Sequence, residues 1–191
     1  MTEVLSPKPD DVPSVAPPAN LFLIGPMGSG KTAVGRVLAR LRGQRFIDAD
    51  AEIERRTGVD IPFIFEQEGE AGFREREQAV IDDLTQWQGI VLATGGGAVT
   101  RPENRDRLRH RGIVIYLQAS VAQQVERTQH SRHRPLLQTA DPAARLADLM
   151  AIREPLYRST AHLAVATDRR KVTAVAEAIM TGLASLNSAA R

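Results

Sequence analysis

The chain alternates short apolar runs with longer stretches of helical spacing. Leu21-Phe22-Leu23-Ile24, Arg45-Phe46-Ile47, Ile90-Val91-Leu92-Ala93, Ile113-Val114-Ile115-Tyr116-Leu117 and Leu163-Ala164-Val165 predict five strands. Most are apolar throughout, as strands covered on both faces must be. Helical patterns lie between them: from a glycine loop to about Leu41, over Asp50–Thr57, from Gly69 to about Trp87, and over Pro102–His110. Others run to about Thr128, start at Asp141-Pro142, and span Val172–Leu186. Ser120 suits the N-cap of the helix ending near Thr128, and Asp141-Pro142 supplies a cap and a first helical residue. Strands alternating with helices imply one parallel sheet between two helical layers, an α/β/α architecture.

The first 19 residues hold five prolines and little that could pack, which predicts a disordered tail over residues 1–19 and a domain over residues 20–188. With 191 residues, the chain is long enough for one domain of this kind. It has no cysteine, so a disulfide framework, a thiolate zinc site and a cysteine nucleophile are excluded. Neither a membrane-length apolar run nor a signal peptide is visible, and the expectation is a cytoplasmic chain without a membrane partner.

Net charge is only +2, too small to argue for nucleic acid. Its distribution is uneven: Asp48–Asp83 carries 12 acidic against 4 basic residues, whereas Arg101–Arg134 carries 8 arginines against 3 acidic residues.

Gly25-Pro26-Met27-Gly28-Ser29-Gly30-Lys31-Thr32 has the full G-x-x-x-x-G-K-[ST] spacing between a strand and a helix. In this arrangement inward-turned amides and the helix N-terminus hold phosphate, the lysine reaches the β- and γ-phosphates, and the threonine supplies an oxygen to Mg²⁺. This establishes a nucleotide site but not a reaction. Asp48-Ala49-Asp50 ends the second strand, where open α/β sheets bind ligands. One aspartate would serve the metal and the other take a proton from an acceptor hydroxyl; alternatively Asp50 caps the next helix and Asp48 is solvated. No aspartate ends the third strand, which leaves Asp48 as the metal carboxylate. Thr94-Gly95-Gly96-Gly97 allows backbone to approach a ligand closely, or simply makes a turn.

Arg74 and Arg153 have two readings each. Arg74 either enters a site or pairs on the surface with Glu70, one turn away. Arg153 either enters a site or decorates a helix end before Pro155. Arg127, Arg132 and Arg134 flank a basic segment, a closing lid over about 127–138 or a solvated loop. His130 and His133 have no further ligands at metal spacing.

Taken in order, these segments resemble the shikimate kinase family over about residues 20–184. The resemblance rests on Gly25–Thr32, Asp48-Ala49-Asp50, Ile64-Phe65 through Gly69-Glu70, Phe73–Glu77, Thr94–Val99, Arg134-Pro135-Leu136-Leu137 and Arg153–Tyr157. It implies ATP-dependent phosphorylation of the shikimate 3-hydroxyl, on the route to chorismate and aromatic amino acids. It also implies a five-stranded fold of the nucleoside-monophosphate-kinase type, with a substrate subdomain over about 48–80, acting as a monomer. By position, Asp50, Lys31 and Arg134 are catalytic, and Asp50, Arg74, Gly96, Gly97 and Arg153 bind shikimate. Gly28, Ser29, Gly30, Lys31, Thr32, Ala33, Arg127, Arg134 and Arg170 bind ATP, and Thr32 with Asp48 holds Mg²⁺. Val172 departs from the family, standing where relatives often have an adenine-loop proline. The competing expectations are a gluconate or nucleoside-monophosphate kinase, and a nucleotide-dependent protein using Arg101–Arg134 on nucleic acid.

Overall fold

The computed structural model describes residues 19–129 and 141–189. Five parallel strands form one sheet: β1 (Leu21–Ile24), β2 (Arg45–Asp48), β3 (Ile90–Ala93), β4 (Ile113–Gln118) and β5 (Leu163–Ala166), in the order β2-β3-β1-β4-β5. Among the described residues the α-helices are α1 (Lys31–Arg42), α2 (Ala49–Thr57), α3 (Ile61–Leu84), α4 (Pro102–Arg111), α5 (Val121–Thr128), α6 (Pro142–Thr160) and α7 (Val172–Ala189). From β1 the chain crosses past β3 to reach β2, and from β3 it crosses back past β1 to reach β4. That reversal opens a crevice at the carboxyl ends of β1 and β3.

Alternation within each strand builds two cores. Phe22, Ile24, Leu92, Val114 and Tyr116 face one side, with Ile64, Phe73 and Tyr157. Leu21, Leu23, Val91, Ile115 and Leu117 face the other, against Val34, Leu38, Val175 and Ile179. Each fully buried aliphatic or aromatic side chain contributes about 1.5–3 kcal/mol. Asn20 fixes the alignment of β1 beside β3: its amide donates to the Trp87 carbonyl at 2.6 Å and its oxygen accepts from Ile90 N at 3.1 Å.

The caps read from sequence form. Ser120 accepts from Gln123 N at 3.2 Å, and Asp141 accepts from Ala144 N at 2.9 Å. Two elements differ from expectation. α3 begins at Ile61, not Gly69, because Asp60 caps it and Pro62 sits in the first turn, where a missing N–H costs nothing. Gly69 then interrupts the helix with φ 69°, a left-handed conformation that glycine alone adopts freely. α6 does not end before Pro155 but continues to Thr160, held by the burial of Leu149, Arg153 and Tyr157 on one face. The proline tail lies outside the described residues except Ala19, whose carbonyl accepts from Arg42 and Gln44. No helix among the described residues is long and apolar enough to cross a membrane.

Candidate active site

All five strands point their carboxyl ends to one edge, and the loops leaving them build the site. The loop from β1 to α1 has positive φ at Gly28 (76°) and Gly30 (88°), and Gly30 caps α1 without a side chain. The first-turn amides of α1 are therefore not taken by a capping side chain. Lys31 Nζ is folded back onto the carbonyls of Gly25 and Pro26, each at 2.8 Å. A cavity of about 330 Å³ lies over this loop, lined among others by Lys31, Thr32, Asp48, Asp50, Gly96 and Arg127.

At its floor Thr32 Oγ1 donates to Asp48 Oδ2 at 2.7 Å. Asp48 Oδ1 accepts from the amides of Asp50 and Ala51, so Asp48, and not Asp50, caps α2. This reverses the alternative in which Asp50 was the cap and Asp48 was solvated. Asp50 itself lies in the first turn of α2. Asp50 is only half-buried as a residue, yet its Oδ1 is closed off from solvent and bonded to nothing among the described residues. Burial raises the Asp50 pKa to about 7, helped by the charges of Glu77 and Asp48 and opposed by Lys31 and Arg74.

Arg74 is buried, not a surface partner of Glu70 alone. It donates to Glu77 Oε2 at 2.6 Å and to Glu70 Oε1 at 3.0 Å. Burial alone would lower its pKa, but the Glu77 and Glu70 carboxylates outweigh that and keep it charged. Its guanidinium lies flat against Gly97, where a Cβ would collide with it. Arg153 is also buried, on α6 beside Tyr157. Burial lowers its pKa, Tyr157 opposes this, and the nearby positive charge of Arg74 lowers it further. The two buried guanidiniums thus lie near each other, and the charge of Arg74 also acts on Asp50.

A second cavity, about 260 Å³, adjoins the first through Gly30, Ala33 and Arg127. Arg127 clasps it, donating to Gly28 O at 2.9 Å and to Thr167 O at 3.1 Å. Ser29 and Arg170 line it too, and Val34, Val172 and Val175 make an apolar wall. Val172 therefore supplies hydrophobic surface at the position where a proline was expected.

The model of the family described as shikimate kinase matches residues 27–184. The chain belongs to the shikimate kinase family. A shikimate kinase of Halorhodospira halophila is 57% identical over 166 residues, 87% of this chain and 94% of the relative. One of Methylococcus capsulatus is 61% identical over 148 residues, 78% of this chain and 83% of the relative. Among solved structures, the shikimate kinase of Acinetobacter baumannii in complex with shikimate is 50% identical, with a TM-score of 0.86, over 87% of this chain and 93% of that one. A gluconokinase of Sinorhizobium meliloti, 20% identical with a TM-score of 0.57, shares the fold alone.

The family residues expected from sequence gather around these two cavities. Lys31, Thr32, Asp48, Asp50, Gly96 and Arg127 line the first, and Ser29, Ala33 and Arg170 the second. Arg74 lies against Gly97, next in sequence to Gly96, and Arg153 lines a small pocket with Pro26, Met27 and Tyr157. Arg134, with most of the expected lid, lies outside the described residues. Two groups of this shikimate kinase family member were not foreseen. Glu77 is fully buried against Arg74; its signal was the i, i+3 spacing within an acidic helix. Tyr157 donates from α6 to the Gly96 carbonyl, a contact between residues 61 apart.

Proposed function

We propose that the chain transfers the γ-phosphoryl group of ATP to the 3-hydroxyl of shikimate. The observation that carries this reading is a buried arginine, Arg74, whose charge acts on Asp50, a carboxylate with an unbonded oxygen that lines the cavity over the phosphate loop, with a second buried arginine, Arg153, near Arg74. A pair of guanidiniums clamps a carboxylate, and a nearby aspartate orients and deprotonates a hydroxyl. Shikimate carries that carboxylate and those hydroxyls on one small ring.

In the reaction the acceptor oxygen attacks the γ-phosphorus, the bond to the β,γ-bridging oxygen breaks, and ADP leaves with the electron pair. The hydroxyl proton passes to Asp50. Lys31 exchanges the carbonyls of Gly25 and Pro26 for phosphate oxygens, and the α1 N-terminus adds its positive end. Thr32 Oγ1 and Asp48 Oδ2 are hard oxygens side by side, a donor pair that fits Mg²⁺, which would neutralise phosphate charge there. Arg127 and the valine wall of the second cavity suit an adenine ring. Arg134 supplies a further positive charge to the transferring group, a contribution of roughly 10³–10⁵ in rate where such arginines have been removed.

A coupled assay of ADP release with shikimate, quinate, gluconate and nucleoside monophosphates tests the reading. Shikimate should support turnover far above the others. Preference for gluconate or a nucleotide would replace it with the corresponding kinase.

A further inference from the structure

The site of the proposed reaction contains a peptide whose direction is set from outside it. Tyr157 is fully buried on α6, one turn after Arg153. Its ring stacks on Tyr116 of β4, with centroids 5.0 Å apart and planes 25° apart. Its hydroxyl donates to the carbonyl oxygen of Gly96. Stacking fixes the ring, and the ring fixes where the hydroxyl can reach.

Gly96 is the point where the loop after β3 meets the phosphate loop. A Cβ there would lie 3.4 Å from Met27 N and 3.5 Å from Gly25 O. The next peptide unit joins Gly96 to Gly97. It is trans, so the Gly96 carbonyl and the Gly97 N–H point in opposite directions. With the carbonyl tied to Tyr157, the Gly97 N–H is turned away from α6. No backbone carbonyl among the described residues accepts it. It sits at the residue against which the Arg74 guanidinium lies.

We infer that Tyr157 is a positioning residue: its hydroxyl holds the Gly96–Gly97 peptide so that the Gly97 N–H faces the anionic acceptor together with Arg74. This rests on the proposed acceptor pocket and adds a specificity element to it. A side chain that touches neither substrate nor ATP then sets one of the donors that the acceptor meets.

Tyr157→Phe removes one oxygen and keeps the stack. A hydrogen bond of this kind is worth about 1 kcal/mol, so the shikimate KM should rise about fivefold, with the ATP KM within twofold of the wild type. An unchanged shikimate KM, or a parallel rise in both, would overturn the inference. Amide hydrogen exchange over residues 94–100 without ligand gives a second reading, independent of turnover. Exchange should quicken in Tyr157→Phe, and identical exchange would overturn the inference even if the wild type used another acceptor. Failure of the wild type to release ADP with shikimate would instead count against the functional reading, leaving the exchange measurement to judge Tyr157.

Discussion

Arg74 and Glu77, one turn apart on α3, form an ion pair at 2.6 Å in which both side chains are buried. Such a pair gains little net stability over apolar packing, but breaking it strands a charge. The second oxygen of Glu77 has no hydrogen-bond partner among the described residues, and with Asp50 Oδ1 it lies against Gly95. Arg74 therefore neutralises Glu77 and, in the proposed reaction, also receives the acceptor anion.

Arg74→Ala should lower folding stability by about 3–5 kcal/mol, because Glu77 is left charged and unpaired, and should weaken shikimate binding far more than ATP binding. Urea unfolding and separate titrations of the two ligands check this. Arg74→Ala combined with Glu77→Gln should recover much of the stability and none of the shikimate binding.

Asp48 has two roles that one pair of variants separates. It caps α2 and bonds Thr32. Asp48→Ala should cost about 0.5–2 kcal/mol in stability, while Asp48→Asn, itself a good cap, should cost only a few tenths. Both should lose most turnover, and the loss should not be recovered by raising Mg²⁺ at fixed ATP. Thermal unfolding and the coupled assay distinguish the cap from the metal role.

As the proposed base, Asp50 should carry the pH dependence of the chemistry. With its pKa raised to about 7 in the free protein, kcat/KM for shikimate should fall on the acid side of that value as the base is protonated. The stability effect has the opposite sense. A carboxyl whose folded pKa lies above its unfolded value of 3.8 holds its proton better when folded, so its contribution is full below 3.8 and is lost as pH rises through about 7. Asp50→Asn should abolish turnover by about 10²–10⁴. It should also unfold at a higher temperature than the wild type at pH 8, with the gap closing toward pH 4.

His162 gives a pH effect remote from the site. Its Nδ1 accepts from the Val114 amide at 2.9 Å, an acceptor that only the neutral ring provides. Burial, with Arg109 nearby, lowers its pKa below 6.5. A histidine depressed on folding contributes stability above its unfolded pKa that is lost as pH falls below about 6.5. His162→Gln should flatten that part of the stability profile without changing the shikimate KM at pH 7.5, as unfolding curves between pH 5 and 8 would show.

The parts of the site legible in the sequence are those made by contiguous residues. Gly25–Thr32 specifies its turn and its helix start within eight positions, and both form as expected, while Lys31 folds back onto the carbonyls of Gly25 and Pro26. The three central strands were equally plain, because burial on both faces leaves runs such as Ile113–Leu117 without polar interruption, whereas the edge strands β2 and β5 are only partly buried and gave shorter, weaker signals. What depended on distance was not legible. Spacing alone allowed Arg74 a surface pair with Glu70; what buries it is Gly97, brought up from the end of β3. Glu77 was one of twelve acids between Asp48 and Asp83. The capping of α2 was ambiguous because Asp48 and Asp50 both suit the role, and Thr32, sixteen residues earlier, settles which one turns toward the phosphate loop. Pro62 and Pro155 punctuate the sequence more strongly than the structure, since one falls in a first turn and the other is overridden by the burial of Arg153 and Tyr157.

The central claim is a chemical one, that a shikimate hydroxyl receives the phosphoryl group in this pocket. Phosphorus NMR of the products formed from ATP and shikimate tests it directly. Turnover in this pocket should give ADP together with one new phosphomonoester whose phosphorus couples to the proton on C3. Inorganic phosphate with ADP and no ester, or an ester on a different hydroxyl, would contradict it.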